Sequence, residues 1–228
     1  MLRRGNRTAM QKLTIISVWL FISAFSSIAF GNECIKCHTE KGVKVSAPKP
    51  SPIFIKAEVK TISLSLADAF KQNGAPCPGI TTAYRAMQYG IKLLYGDKIP
   101  EQSDLVVFSR TPVPGSRDFL DMLLYDKKKP QKTAIPENMP AGSDKFFYTV
   151  YSKSKSTAVD VQLRSQNWPK DFFKLKKKQE SNSLSPEEWD TLHDYMKNII
   201  LTFQTMPFEE LFGKPVPYKV IMWGNGNQ

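Results

Sequence analysis

The residues best suited to chemistry form one short segment of the chain, Cys34-Ile35-Lys36-Cys37-His38. Two cysteines separated by two residues and followed at once by a histidine are the attachment sequence of c-type haem. In that chemistry the two thiols add across the haem vinyl groups, and the histidine becomes the proximal ligand of the iron. The chain holds only three Cys and two His. The segment therefore predicts one covalent haem c, bound by Cys34, Cys37 and His38.

Three other interpretations of this segment stay open. Cys34 and Cys37 could form a small disulfide, serve as a redox dithiol, or join His38 and Cys77 in a zinc site. A redox dithiol is typical of a βαβ setting, which the position near the N-terminus does not offer. Zinc rarely takes a cysteine and its adjoining histidine in one tetrahedron. Haem is thus the favoured interpretation.

The stretch before the motif has the layout of a secretory signal. Residues 1–31 contain four basic residues near their start and no acid, and an apolar run over 13–30 ends in small residues. We expect cleavage between about residues 29 and 32, and a periplasmic protein without a stable membrane span once the leader is removed. Haem c is attached on the outer face of the bacterial inner membrane, so leader and motif support each other. The alternative is a retained anchor of about 18 residues, barely long enough to span a bilayer.

Composition limits the remaining possibilities. The chain has 228 residues, 41% of them apolar, and a mean hydropathy of -0.33, which excludes collagen-like, wholly disordered and multi-span membrane proteins. Its net charge of +11 falls to +7 without Arg3, Arg4, Arg7 and Lys12. Lysines cluster at 127–129 and 174–178 without the arginine and aromatic pattern of nucleic-acid binding. We expect no nucleic-acid partner, and either a solvated surface or the docking of an acidic redox protein.

Elements that would position the haem begin after a linker. Residues 41–52 are rich in Pro, Ser and Lys and lack periodicity, so residues 32–52 form a haem attachment segment and linker, and 53–228 form the main domain. A segment this short cannot shield a porphyrin from water. The haem must therefore pack against the main domain or another chain.

Periodicity and capping residues in the main domain predict an α+β fold. Helices are expected after a cap at Ser63 or Ser65, after Cys77-Pro78-Gly79 as far as Gly96, over 116–124, and from Ser185-Pro186 to about Thr205. Strands are expected at 105–109, 146–151, 158–163 and 217–222.

At this point the chain resembles a family, the E-type subunit domain of formylmethanofuran dehydrogenase and its stand-alone bacterial relatives, over about residues 64–220. The resemblance rests on the segments Gly74-Ala75-Pro76-Cys77-Pro78-Gly79, Ala83-Tyr84-Arg85-Ala86, Pro114-Gly115-Ser116-Arg117-Asp118, Ile200-Leu201-Thr202 and Glu209-Glu210-Leu211-Phe212. It implies a mixed sheet with helices, similar to the C-terminal domain of glyceraldehyde-3-phosphate dehydrogenase, and a tendency to form homodimers.

The family's metal site is not implied for this chain. In the family a histidine and a cysteine of the Cys-Pro-Gly segment take part in that site, but here Ala75 stands where the histidine would be. Residues 125–145 contain no Cys or His, although members often carry a further cysteine there. Cys77 is therefore either a small buried residue at a helix start, or a reactive thiol or metal ligand favoured by the helix N-terminus.

His193 is the only other histidine and thus the only partner for bis-His ligation within one chain. It lies on or beside the apolar stripe of the last long helix, where it is either a half-buried helix residue or the distal ligand of the haem iron. Methionine offers the alternative thioether ligands, namely Met87, Met122, Met139, Met196 and Met206.

Together these patterns predict a periplasmic monohaem c-type protein for electron transfer or haem-based redox sensing. The alternative is a metal- or thiol-dependent enzyme or binding module that uses Cys77 without covalent haem. A third possibility is a scaffold within a membrane redox complex. Whether the chain is an enzyme stays open, since no nucleophilic triad, phosphate loop or paired carboxylates stand out.

Overall fold

The computed structural model describes residues 49–58, 60–124 and 133–223. It confirms the α+β class: helices pack with two antiparallel sheets. The strands are β1 (Ile53–Ala57), β2 (Lys60–Leu64), β3 (Leu105–Ser109), β4 (Phe147–Ser152), β5 (Thr157–Gln162) and β6 (Tyr218–Lys219). The helices are α1 (Leu66–Asn73), α2 (Pro78–Tyr95), α3 (Pro114–Leu123), α4 (Phe172–Glu180), α5 (Pro186–Thr205) and α6 (Phe208–Phe212).

A two-stranded hairpin opens the described part of the chain. Strand β1 pairs with β2 in antiparallel register, Ile53 opposite Leu64 and Ile55 opposite Ile62. Ile53, Ile55 and Leu64 are buried, because alternate residues of a strand face the same side. Ser65 then caps α1, and its side chain and that of Asp68 bond each other's backbone N–H in a capping box.

Helix α2 is the central element of the domain. It begins at Pro78, which suits a first helical turn because proline lacks the N–H that would lie unpaired there. It packs on β4 and β5, and a Cβ at Gly90 would lie 2.6 Å from Cγ2 of Val150. Glycine therefore allows the helix to lie directly on the sheet.

The larger sheet has the strand order β3-β4-β5-β6, and every neighbouring pair is antiparallel. The resemblance led us to expect a mixed sheet, but the strand pairings observed here are those of a meander. An isolated parallel bridge joins Lys56 of β1 to Glu101. Short connections suffice for antiparallel neighbours, which is why β4 and β5 follow each other directly.

Helices α4 and α5 close the domain with an aromatic cluster. Trp168 lies between Phe146, Phe172 and Phe203, with ring centroids 4.8, 4.6 and 6.0 Å away. Ser185 caps α5 and forms a second capping box with Glu188. Within the described ranges no helix combines the length and the apolar character needed to cross a membrane.

Candidate functional site

A cavity of about 800 Å³ is bordered by α1, β3, α3 and the segment after Thr133. Its volume is within the roughly 300–1,000 Å³ of ligand and cofactor sites. The apolar part of its wall includes Ile80, Val107, Phe119, Leu120, Met122, Ile135 and Met139. The polar part includes Gln72, Asn73, Ser109, Thr111, Arg117, Asp118, Asp121 and Thr133.

An ion pair is part of the polar wall. Arg117 donates from Nε and Nη2 to Oδ1 of Asp118, at 3.0 and 2.8 Å. The two side chains are only 11% and 20% exposed. Because partial burial strengthens electrostatic interactions, the pair holds both side chains in fixed positions in the wall, without adding net charge to it.

A buried hydroxyl also lies in the wall. Thr111 is 8% exposed, and its Oγ1 has no hydrogen-bond partner among the residues that the structure describes. Leaving a buried polar group unpaired costs on the order of 1–3 kcal/mol. Because Oγ1 itself has almost no accessible surface, it could reach an occupant of the cavity only after the side chain of Thr111 rotates.

The segment carrying Met139 is joined to α3 by Thr133. Both the backbone N–H and Oγ1 of Thr133 donate to the carboxylate of Asp121, at 3.0 and 2.6 Å. Asp121 lies one residue before Met122 in α3. These bonds hold the start of the segment against the helix, and both methionines contribute to the same cavity wall.

Cys77 lies where the starts of two helices cross. It is the N-cap of α2 and 2% exposed. A Cβ at Gly115, in the first turn of α3, would lie 2.7 Å from its Sγ. A second close approach joins the same two helix starts: a Cβ at Gly79, in the first turn of α2, would lie 2.7 Å from Cγ1 of Val113, the N-cap of α3. The two Pro-Gly helix starts thus permit a close crossing of α2 and α3.

A hydroxyl pair fixes the same crossing. Ser116 Oγ donates to the carbonyl oxygen of Gly79 at 3.0 Å and lies 3.2 Å from the hydroxyl of Tyr148. Burial raises the pKa of Tyr148 well above its ordinary value, and the nearby Cys77 contributes in the same direction. The phenol therefore stays neutral. Cys77 is a packed residue of this crossing, without the open approach that a porphyrin needs, so we do not propose it as a haem ligand.

His193 lies half-buried on α5, away from a cysteine or a second histidine among the described residues. Its Nδ1 is 2.9 Å from the carbonyl oxygen of Trp189, and the two ring centroids are 4.4 Å apart. A bond to a carbonyl requires Nδ1 to donate, which leaves Nε2 as the nitrogen able to bind a metal. The ring thus has the chemistry of a ligand.

The candidate methionines differ in burial. Met87 and Met196 are core residues at 0% and 3% exposure, and Met206 ends α5. Met122 and Met139 are half-buried and line the cavity. The structure therefore brings two of the five thioethers to one wall. Sequence analysis named Met139 only as one of five candidate thioethers and missed Thr111, because no motif surrounds either residue.

Arg85, in the segment that carries the resemblance, is a buried cation with a structural role. Its guanidinium lies 4.2 Å from the ring centroid of Phe208 and donates to the carbonyl oxygen of Met206 at 2.8 Å. A further bond joins it to Gln88. Burial lowers the pKa of Arg85. The side chain thus ties α2 to the junction between α5 and α6.

Residues 1–48, with the leader and with Cys34, Cys37 and His38, lie outside the described residues, so the haem attachment stays a prediction. Across the described ranges, the structure has no cluster of three or more His, Cys, Asp or Glu side chains suited to a metal ion.

A family model described as "FmdE, Molybdenum formylmethanofuran dehydrogenase operon" matches residues 73–213. The match is longer than half the chain, runs from the end of α1 to Gly213 after α6, and includes Cys77, Arg117 and Met139. No curated protein matches the chain.

Proposed function

The chain belongs to the FmdE family, and from this premise we propose that it is a periplasmic monohaem c-type protein built on an FmdE-like domain, serving electron transfer or haem-based redox sensing. The observation that carries the proposal is the Cys34-Ile35-Lys36-Cys37-His38 segment directly after an apolar leader. The matched residues, 73–213, begin after this segment. The haem segment is thus an addition to the family domain.

The donor groups of the domain suit a haem iron. His193 presents an Nε2 that its bond to Trp189 leaves as an acceptor, and Met122 and Met139 present thioethers at a cavity. Bound haem would supply one-electron chemistry at the iron. The domain's part is to exclude water from the porphyrin and to fix the second axial ligand, which sets the reduction potential.

The surface charge supports a role in electron transfer. Without the four basic residues of the leader, the net charge is still +7. Helix α4 carries four cations, Lys174, Lys176, Lys177 and Lys178, of which Lys178 is paired with Glu188. A basic surface speeds encounter with an acidic redox protein, so we propose such a protein as the partner.

The proposal is tested by producing the full chain together with a haem c maturation system. After denaturation and extraction with acidified organic solvent, a pyridine haemochrome assay should find one haem per chain. The matched variant with Cys34→Ala and Cys37→Ala should retain none. A wild-type chain without covalent haem would contradict the proposal.

Export to the periplasm is tested by measuring where the leader is cleaved. Mass spectrometry of protein recovered from the periplasm should show a new N-terminus between about residues 29 and 32. An intact leader on a membrane-associated protein would instead indicate a retained anchor, and the proposed location would be wrong.

The second candidate function is a metal- or thiol-dependent enzyme or binding module. It is favoured by the position of Cys77 at a helix start, next to the buried hydroxyls of Ser116 and Tyr148. Elemental analysis should then find stoichiometric non-haem metal that is lost in Cys77→Ser. An unchanged metal content in that variant would exclude Cys77 as the ligand.

A further inference from the structure

We propose that the haem carried by Cys34, Cys37 and His38 docks into the cavity between α1 and α3, with the sulfur of Met139 as the sixth ligand of its iron. This inference rests on the proposed function and assigns the haem a place in the domain.

The chemistry of the cavity matches an amphipathic porphyrin. Side chains from β3, α3 and the segment after Thr133 give it an apolar wall, including Val107, Phe119 and Ile135. Its volume of about 800 Å³ is in the upper part of the range for cofactor sites. Burying a porphyrin here removes a large apolar face from water, which is the main driving force for docking.

The linker ends beside this cavity. The hydroxyl of Tyr84 donates to the carbonyl oxygen of Ser51 at 2.8 Å, and the Tyr84 ring contacts Phe119 with centroids 5.4 Å apart. Phe119 is itself part of the cavity wall. The chain thus enters the domain one tyrosine side chain away from the wall. Residues 39–50 can span up to about 40 Å when extended, so the haem at His38 can reach the cavity.

The polar wall carries one guanidinium and the carboxylates of Asp118 and Asp121, so its attraction for a haem propionate comes from the hydrogen-bond donors of Arg117 and not from net charge. A haem has two propionate groups, and Arg117 places a guanidinium in the cavity wall. Its bonds to Asp118 use Nε and Nη2, and a guanidinium carries five N–H donors in all. Its remaining N–H donors can bind a carboxylate at the polar side of the cavity.

Packing selects Met139 over the other thioethers. Met87 and Met196 lie within the core, and Met122 and Met206 pack against it. Met139 is half-buried, lines the cavity, and does not belong to the core cluster. Its sulfur can therefore turn to the iron without opening the core. His193, in contrast, lies on α5, which contributes no residue to the cavity wall.

The test uses the full-length haem protein and three single variants. Electron paramagnetic resonance and absorption spectra should show low-spin ferric iron in the wild type. Met139→Leu should convert it to high-spin and lower the reduction potential, because a thioether ligand raises that potential. Met122→Leu, the matched control on the same wall, should stay low-spin, and so should His193→Ala.

The reduction potential of a further variant tests whether the haem lies in the cavity, independently of which residue binds the iron. Arg117→Gln removes a positive charge beside the proposed haem, so the reduction potential should fall while the iron stays low-spin. An unchanged potential would place the haem away from this wall and overturn the inference.

The outcomes separate the inference from the function it rests on. A chain without covalent haem overturns both. Covalent haem whose spin state changes in His193→Ala and not in Met139→Leu places the haem at α5, which overturns the inference and leaves the proposed function standing. A wild type that is already high-spin also overturns the assignment of Met139.

Discussion

The space between Gly115 and Cys77 cannot hold both a Cβ at position 115 and the sulfur of Cys77. A Cβ at position 115 would lie 2.7 Å from Sγ of Cys77, so we expect Gly115→Ala to lower the free energy of unfolding. Overpacking of this kind costs about 1–3 kcal/mol, more than the helix propensity of about 1 kcal/mol that alanine gains over glycine. Denaturant unfolding followed by circular dichroism measures the difference.

The control replaces Cys77 by the smaller alanine. In a Cys77→Ala background Sγ is absent, so Gly115→Ala should cost less than it does alone or become stabilising. A double-mutant cycle gives this coupling energy. If the two substitutions were additive, the close contact would not be the reason for glycine at position 115.

Sequence reasoning found the residues with distinctive chemistry but not their surroundings. Cys77 is at a helix start as predicted, and its burial at 2% agrees with the simpler of its two interpretations. His193 is predicted beside the apolar stripe of α5 and is half-buried there. Thr111 and Met139 line the same cavity although they are far apart in the sequence, and no local pattern could have indicated this.

At the scale of one element, the capping box of α1 predicts a pH-dependent effect. Ser65 Oγ accepts from the N–H of Asp68 at 3.1 Å, and the Asp68 carboxylate accepts from the N–H of Ser65 at 2.9 Å. Ser65→Ala should lower stability by about 1 kcal/mol at neutral pH. Thermal unfolding of wild type and variant gives this difference.

The pH dependence follows from Asp68. Hydrogen bonding to Ser65 holds the pKa of Asp68 below its ordinary value of 3.8. A carboxyl group with a lowered folded-state pKa contributes fully above its unfolded value and loses that contribution as the pH falls through the folded value. The gap between wild type and Ser65→Ala should therefore narrow below about pH 3.8. Ser63→Ala, two residues earlier in exposed β2, should show neither effect.

The sequence predicted best the helices that have capping residues at their ends. Ser65, Gly96 and Ser185 mark the ends of α1, α2 and α5 as expected, and the strand at 105–109 is confirmed. The β1–β2 hairpin was missed because its turn uses Glu58 at φ 38 rather than an Asn-Gly pair. Helix α4 was missed because its lysine-rich sequence has few apolar positions and its N-cap, Asp171, makes no capping bond.

For the whole molecule, we expect Cys37→Ala to abolish the normal attachment through two thioethers while the domain over residues 53–228 stays folded. The physical reason is that the described domain has its own extensive core, and we expect residues 41–52 to act as a linker between this domain and the haem segment. Haem staining after denaturing electrophoresis measures attachment, and near-ultraviolet circular dichroism measures packing.

The isolated 53–228 domain serves as the control. It should unfold cooperatively and give dispersed side-chain signals in nuclear magnetic resonance spectra. A molten domain would show that the haem is part of the core, and the boundary at residue 53 would be wrong.

The aromatic cluster around Trp168 also gives the molecule an optical signature. Trp168 is 5% exposed, and its indole Nε1 has no hydrogen-bond partner among the described residues, whereas Trp189 and Trp223 are 41% and 90% exposed. The fluorescence of an indole in an apolar environment, without a hydrogen bond to its N–H, has a shorter wavelength than that of an indole in water. In the isolated 53–228 domain, which has no haem to quench the indoles, the fluorescence of the folded state therefore combines a blue component from Trp168 with redder emission from the exposed indoles. On unfolding the blue component moves furthest, so the emission maximum reports chiefly on the packing of Trp168 against α4 and α5.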